Sequence, residues 1–171
     1  MTQMPLRDYA ADLTATVDRA APILLPIYAE VNGRRPAKDK WSPREIIGHL
    51  IDSAANNHHR FVCAQWQPDL IFAGYDQEGW VRTQDYQHAP WEELVVLWAT
   101  YNRHLARVMV AIPAEIRQRR HSRHNLHEVA WRPIPASEPA TLDEFMADYV
   151  DHLHHHLGQI EALAGVTGLV P

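Results

Sequence analysis

Apolar residues recur at intervals of three to four positions in four separate stretches of the chain, the spacing of an amphipathic helix. The first stretch extends from about Leu6 to Val31, and Pro22 and Pro26 are expected to break or kink it. The second begins at Ser42-Pro43, an N-cap followed by proline at the first helical position, and ends near Trp66.

The third predicted helix opens after Pro90 and extends to Ile112, and the fourth opens with the capping box Thr141–Glu144 and ends near Gly165. No stretch shows the alternation of a confident strand. The connections at 68–90 and 113–140 are long. The pattern therefore predicts an all-α chain, a four-helix bundle with long crossover connections that forms a single domain over residues 1–171.

Composition narrows the classes of protein. The chain has 171 residues, of which 46% are hydrophobic and 22% charged, and a net charge of −5, which argues against a nucleic-acid binder. Its one cysteine, Cys63, excludes an internal disulfide framework and fits a reducing compartment. No apolar run is long enough for a membrane span, and no signal peptide is recognisable at the start. We therefore expect a cytoplasmic protein with no membrane partner and no nucleic-acid partner.

Histidine is unusually abundant, with twelve residues, and four of them fall between positions 152 and 156. On a helical wheel His152 and His156 lie on or beside the apolar face, whereas His154 and His155 point away from it, so His154 is expected to be solvated and His155 to be solvated or only a neighbour of the ligands. His152 and His156 are four residues apart, which places two imidazoles about 6 Å apart on one helix face. That spacing allows them to share a metal ion.

A third ligand is needed, and His49 on the second predicted helix is the best candidate. It lies beside the apolar face, in a polar lane with Glu45, Ser53, Asn56 and Arg60. If this lane faces solvent, His49 is not a ligand. If it faces the fourth helix, three imidazoles converge and leave open positions on a divalent ion for water or substrate.

Two motifs carry a family resemblance. Trp41-Ser42-Pro43 leads to His49-Leu50-Ile51-Asp52-Ser53, and Tyr149-x-x-His152 continues to His155-His156-x-x-Gln159-Ile160. With the middle segment Tyr75–Trp80, they make the chain resemble the DinB/YfiT-like superfamily over nearly its whole length. The resemblance implies a four-helix bundle, often a homodimer, with a three-histidine metal site. By position those ligands are His49, His152 and His156.

The resemblance also implies an activity, because the family includes metal-dependent hydrolase-like proteins and transferases or isomerases that use low-molecular-weight thiols. We expect one divalent transition-metal ion and a small-molecule substrate, with a low-molecular-weight thiol as a candidate. Zn and Ni suit imidazole ligands, and Mn and Fe stay open. The resemblance does not imply DNA binding.

Further candidate residues follow from the same lane. Glu45 or Asp52 is the candidate catalytic base, and Asp52 is alternatively an orienting partner of an imidazole or a member of a surface ion pair. Asn56 and Arg60 are candidates for substrate binding. Arg120 belongs to the basic run 117–124, which either recognises an anionic substrate or forms a solvated loop or dimer contact.

Other histidines are excluded from the same ion by distance. His58 lies nine residues after His49, about 13 Å along the helix axis, and Cys63 lies farther still. His58 is expected to be a satisfied core residue, His59 to be exposed and Cys63 to be buried or partly buried. A non-catalytic alternative also stays open, a metal-stabilised dimeric bundle acting as a binding or stress-response module.

The helical phase makes a first prediction. His154→Ala should leave the metal content of the purified, untagged protein unchanged, because the side chain points away from the ligand face, whereas His156→Ala should lose the metal. Metal analysis of both variants checks this. A comparable loss in His154→Ala would show that the assumed phase is wrong.

Overall fold

The structure is a computed structural model that describes residues 8–171, so Leu6, the predicted start of the first helix, lies outside the described residues. Four helices are long: α1 (Tyr9–Leu24), α3 (Pro43–Cys63), α5 (Trp91–Ala111) and α8 (Leu142–Ala164). Four are short: α2 (Ala29–Asn32), α4 (Gln77–Thr83), α6 (Ala114–Arg117) and α7 (Leu126–Val129), and a 3₁₀ turn spans Tyr86–His88.

The all-α four-helix bundle predicted from the pattern is confirmed. Over residues 8–171 no strand forms, and β pairing is limited to two isolated bridges, Leu70 with His124 and His121 with Ala140. In the same range no helix is long and apolar enough to cross a membrane.

The first predicted helix is too long. α1 ends at Leu24 and α2 is separate from it, although Pro22 is accommodated within the last turn of α1. Pro26 lies in the turn between the two helices and has no N–H to continue the hydrogen-bond ladder, which explains the break. α3 also ends three residues before the predicted Trp66.

The long connections contain local structure that the apolar pattern did not predict. Residues 68–90 include α4 and the 3₁₀ turn, and residues 113–140 include α6 and α7. The two connections also pair with each other, because Leu70 donates to the Arg123 carbonyl at 3.2 Å and accepts from the Asn125 N–H at 3.1 Å. The two connections are therefore joined by backbone hydrogen bonds.

Both histidine-bearing helices have firmly defined starts. Ser42 and Glu45 form a capping box on α3, and Thr141 and Glu144 form the predicted one on α8. Gly165, with φ of 66°, ends α8 in the left-handed conformation that glycine adopts without steric cost. These caps fix the register of each helix relative to the core.

Buried side chains hold α3, α5 and α8 together. Trp98, Phe61 and Phe145 are among the largest fully buried residues of the described chain. Inside this core the Tyr149 hydroxyl donates to the Asn102 amide oxygen at 2.5 Å, a buried hydrogen bond between α8 and α5. Since Tyr149 lies three residues before His152, this bond helps to place the histidine face of α8.

One close approach depends on glycine. A Cβ atom at Gly48 would lie 2.1 Å from the Tyr86 ring, whereas a Cβ at Gly158 in α8 would meet nothing within 4 Å. Gly48→Ala should therefore lower the free energy of unfolding by about 2–4 kcal/mol, through overpacking and displacement of Tyr86. Gly158→Ala is the matched control and should raise it by about 0.5–1 kcal/mol, because alanine restricts the unfolded chain. Urea unfolding of both variants measures the two changes. A free energy of unfolding of Gly48→Ala equal to that of the wild type would contradict the close packing of Tyr86 on Gly48.

Candidate metal centre

Three imidazoles converge between α3 and α8. The His152 Nε2 lies 3.3 Å from the Nε2 of His49 and 3.0 Å from the Nε2 of His156. Ligand atoms of the three residues all lie within 4.8 Å of one another. His49 is fully buried and its Nε2 contacts His152 of α8, so this side chain faces α8 and not solvent.

Two tryptophans flank the cluster formed by His49, His152 and His156. The Trp41 ring centroid lies 4.9 Å from that of His49 and 6.4 Å from that of His156. Trp131 lies in the connection at 113–140, and its ring centroid is 6.1 Å from that of His152. The two indoles therefore form part of the surroundings of the imidazoles.

The environment keeps these imidazoles neutral. Burial is the main cause that lowers the pKa of His49 to about 3, of His152 to about 2 and of His156 to about 4, and neighbouring imidazoles contribute to each lowering. The His156 Nδ1 lies 2.8 Å from the Gln159 Oε1, an oxygen that can only accept. That contact places the His156 proton on Nδ1 and leaves the Nε2 lone pair directed into the cluster.

The donor set fits a divalent transition-metal ion. Two ligands at about 2.05 Å from one tetrahedral ion are about 3.3 Å apart, close to the Nε2 separations of 3.0 and 3.3 Å observed here. Neutral imidazole nitrogens suit Zn and Ni. Three protein ligands, in place of four, are typical of catalytic zinc sites, which keep a coordination position open.

Asp52 lies one helical turn from His49 but does not contact it. Its Oδ1 accepts from the Tyr86 hydroxyl at 2.6 Å and from the Gln84 Nε2 at 2.7 Å, while Oδ2 and the His49 Nδ1 are buried with no partner in residues 8–171. Burial raises the pKa of Asp52, although the two hydrogen bonds oppose this. A surface ion pair is excluded by its burial. Asp52 anchors the 3₁₀ turn and does not orient an imidazole.

Glu45 is also engaged elsewhere. Its carboxylate accepts from the Arg35 guanidinium and from the Ser42 N–H. Burial acts to raise the pKa of Glu45, but these hydrogen bonds outweigh it and lower the pKa. A capped, ion-paired carboxylate with a lowered pKa is a poor proton acceptor, which removes the main reason to consider Glu45 as the base.

A cavity of about 310 Å³ lies beside the cluster. It is lined by side chains from α3, α8 and both long connections: Ser53, Asn57, Arg60, Tyr75, Gln77, Glu128, Val129, Ala130, Trp131, Phe145, Asp148, Tyr149, His152, His155 and His156. Of the predicted substrate-binding residues, Arg60 lines this cavity and Asn56 does not. Asn56 lines a neighbouring groove, and Asn57 lines the cavity instead of Asn56.

The basic run at 117–124 does not reach the cavity. Arg117 pairs with Asp143 at 2.7 Å and Arg123 pairs with Asp69 at 2.9 Å. Arg120 is exposed and donates to the Pro139 carbonyl at 3.4 Å. The run thus fastens the connections to one another and to α8, and the structure places Arg120 away from the imidazoles.

Three other histidines can now be placed. The prediction that His154 is solvated is wrong, because its Nε2 lies 2.9 Å from the Thr16 hydroxyl on α1. His58 is half-buried, with its Nδ1 3.2 Å from the Tyr101 hydroxyl, and exposed His59 lies 3.5 Å from the sulfur of Cys63. All three lie outside the cluster of ligand atoms.

Sequence reasoning missed several lining residues. Asp148 lies one turn before His152, and Asn57 lies two turns after His49, so helical spacing could have identified both. Trp131 and Tyr75 lie in connections without apolar periodicity, where the sequence carries no comparable signal.

Comparison with known proteins identifies the family and the fold of the chain. A family model described as the DinB superfamily matches residues 12–160. The chain is 26% identical over 129 residues, 75% of its length and 66% of the relative's, to a Bacillus subtilis (strain 168) protein named "Putative metal-dependent hydrolase YfiT". The solved structure of that protein, described as an unusual four-helix bundle, matches 98% of this chain and 91% of its own with a TM-score of 0.74 at 16% identity. This structural similarity shows that the two chains share a fold.

The lowered pKa values predict acid sensitivity of the metal-free protein. The unfolded state binds protons at these imidazoles below pH of about 6.5, while the folded state excludes them until about pH 4 or lower. The free energy of unfolding should therefore fall from pH 7 to pH 5, by up to about 1.4 kcal/mol per pH unit for each imidazole. Urea titrations of chelator-treated protein measure the slope. His152→Leu should reduce it, and a flat profile in the wild type would contradict burial of the neutral rings.

Proposed function

The chain belongs to the DinB superfamily, and we propose that it is a metal-dependent enzyme of the hydrolase type acting on a small molecule. The observation that supports this most strongly is the convergence of three neutral imidazoles, one buried and two half-buried, beside a cavity. Imidazoles with strongly lowered pKa values that converge beside a cavity are typical of functional sites.

His49, His152 and His156 are the proposed ligands of one divalent ion, Zn or Ni in first place, with Mn and Fe as alternatives. An ion of this kind supplies Lewis acidity, which polarises a substrate oxygen and lowers the pKa of water. The protein's own contribution is to keep the three rings neutral, to direct their Nε2 atoms together and to flank them with Trp41 and Trp131.

Glu128 is the proposed proton acceptor. Its side chain lines the cavity and is exposed, and its nearest polar contacts are the Asn125 amide at 3.4 Å and the neighbouring His127 ring at 3.5 Å. Asp148 lines the cavity too, but its two oxygens accept from the backbone N–H groups of Trp131 and Arg132 at 2.8 and 2.7 Å. Asp148 therefore positions the Trp131 segment.

Hydrolysis is preferred to thiol transfer for two reasons. A relative is named as a hydrolase, and the cavity offers a carboxylate that can accept a proton from water. Cys63 does not line the cavity, so a thiol would have to arrive with a cosubstrate. The homodimer, the cytoplasmic location and the single-domain organisation stay predictions from the sequence.

The test uses the untagged protein loaded with Zn or Ni and a panel of small esters and amides. The wild type should bind one ion per chain and hydrolyse at least one panel member without added thiol. His156→Ala should lose both metal and turnover. Glu128→Gln should keep the metal but lower kcat by about 10²–10⁴-fold, the contribution of a positioned base.

The contrary outcomes separate the alternatives. Turnover that requires an added thiol would replace the hydrolase with a thiol transferase. One ion per chain, a large rise in Tm and no turnover with water or thiol would favour the non-catalytic bundle. His59→Ala is the control for the histidine variants, because His59 is exposed, lies outside the ligand cluster and does not line the cavity.

A further inference from the structure

Arg60 is a buried cation that the described protein does not neutralise. Its side chain is 5% exposed, its Nη2 donates to the Ala73 carbonyl at 2.7 Å, and its Nη1 donates to the Asn57 amide oxygen at 3.4 Å. Across residues 8–171, no Asp or Glu forms an ion pair with it. Burying a charge without a counter-charge is strongly unfavourable, so this position is suited to an anion from outside the chain.

The guanidinium lies on the same cavity as the imidazoles. Arg60, His152 and His156 all line the space of about 310 Å³. Arg60 follows His49 by eleven residues on α3, about three turns, so the two side chains leave the same side of the helix. Eleven residues correspond to about 16 Å along the helix axis, so the attachment points of the two side chains are well separated. A ligand that fills the cavity can contact Arg60 together with His152 and His156, because all three line it.

The surroundings of Arg60 are suited to a planar anion. Asn57 and Ala73 fix the guanidinium, whose fork of N–H donors matches the two oxygens of a carboxylate. Tyr75 lines the same cavity, and burial raises the pKa of Tyr75 to about 12, so its hydroxyl keeps its proton and can donate. The Phe145 ring, 6.0 Å from the guanidinium carbon, completes the wall.

The charge of the cavity-lining residues distinguishes between carboxylate and phosphate, the two anions that arginine commonly binds. Within the described chain, Arg60 is the only arginine or lysine that lines the cavity. Two acidic residues, Glu128 and Asp148, line the same space. One cation beside two acids disfavours a phosphate dianion and suits a monoanion. We propose that the substrate carries a carboxylate bound by Arg60 and Tyr75, with its reacting group directed to the histidine cluster; the second half of this statement rests on the proposed function.

Ligand binding tests the proposal without turnover. Benzoate, its neutral isostere benzamide and inorganic phosphate are titrated into the full-length protein by calorimetry, in metal-loaded and metal-free form. Benzoate should bind both forms, benzamide should bind at least 10-fold more weakly, and phosphate should bind no more tightly than benzoate. Arg60→Met should weaken benzoate binding about 10- to 100-fold, and Arg60→Lys, which keeps the charge without the fork, should weaken it less. Arg120→Met is the control and should bind benzoate as the wild type does.

Several results would overturn the inference. Benzoate binding that needs the metal and ignores Arg60→Met would place the carboxylate on the ion. Equal binding of benzamide, or tighter binding of phosphate, would refute a carboxylate site. Metal content and Tm of Arg60→Met are measured alongside, and a folded, fully metallated variant that has lost benzoate supports the inference. Absent metal with intact, Arg60-dependent benzoate binding would refute the proposed function and support the anion site.

Discussion

The contact of three imidazoles across the α3–α8 interface is the constraint on which the site depends. Their Nε2 atoms lie 3.0 and 3.3 Å apart at the two closest pairs, and burial disfavours adding protons to them. Two neutral nitrogens that face each other repel unless a proton or a cation lies between them. The folded bundle therefore holds three imidazole nitrogens in contact, and a divalent cation is the species that can accept a lone pair from each of them at once.

The rest of the fold prevents this arrangement from relaxing. The capping boxes fix where α3 and α8 begin, and the Tyr149–Asn102 hydrogen bond fixes the rotation of α8 one turn before His152. On the other side Gly48, next to His49, lets the Tyr86 ring approach α3 closely enough for its hydroxyl to reach Asp52. Because each helix is fixed from more than one direction, neither can rotate its histidines toward solvent without breaking core contacts. Sites built on rigid elements in this way hold their geometry closely.

Features that depend on local spacing could be predicted from the sequence, whereas features that depend on long-range contacts could not. The pair His152 and His156 follows from helical period alone, and the helix starts follow from capping residues, so both were predictable. His49 could not be oriented from sequence, because a position beside the apolar face can turn either way until the neighbouring helix is known. The roles of Asp52 and Glu45 depend on Tyr86, Gln84 and Arg35, which lie in connections where no periodicity indicates a partner. The choice between Asn56 and Asn57 needed the position of the cavity itself.

The location of Arg60 on the same helix as His49 has a consequence for selectivity. A loop-borne cation would allow the distance between an anion and the histidine cluster to vary, whereas the hydrogen-bonded backbone of α3 fixes the separation of the two attachment points. Asn57 and Ala73 restrict the guanidinium further, from the same helix and from the connection that follows it. Substrates are then distinguished by the length between their anionic group and their reacting group, because an anion held at Arg60 places only molecules of matching length at the imidazoles. Glu128 and Asp148 line the same cavity and add a second criterion, since they disfavour further negative charge on the substrate.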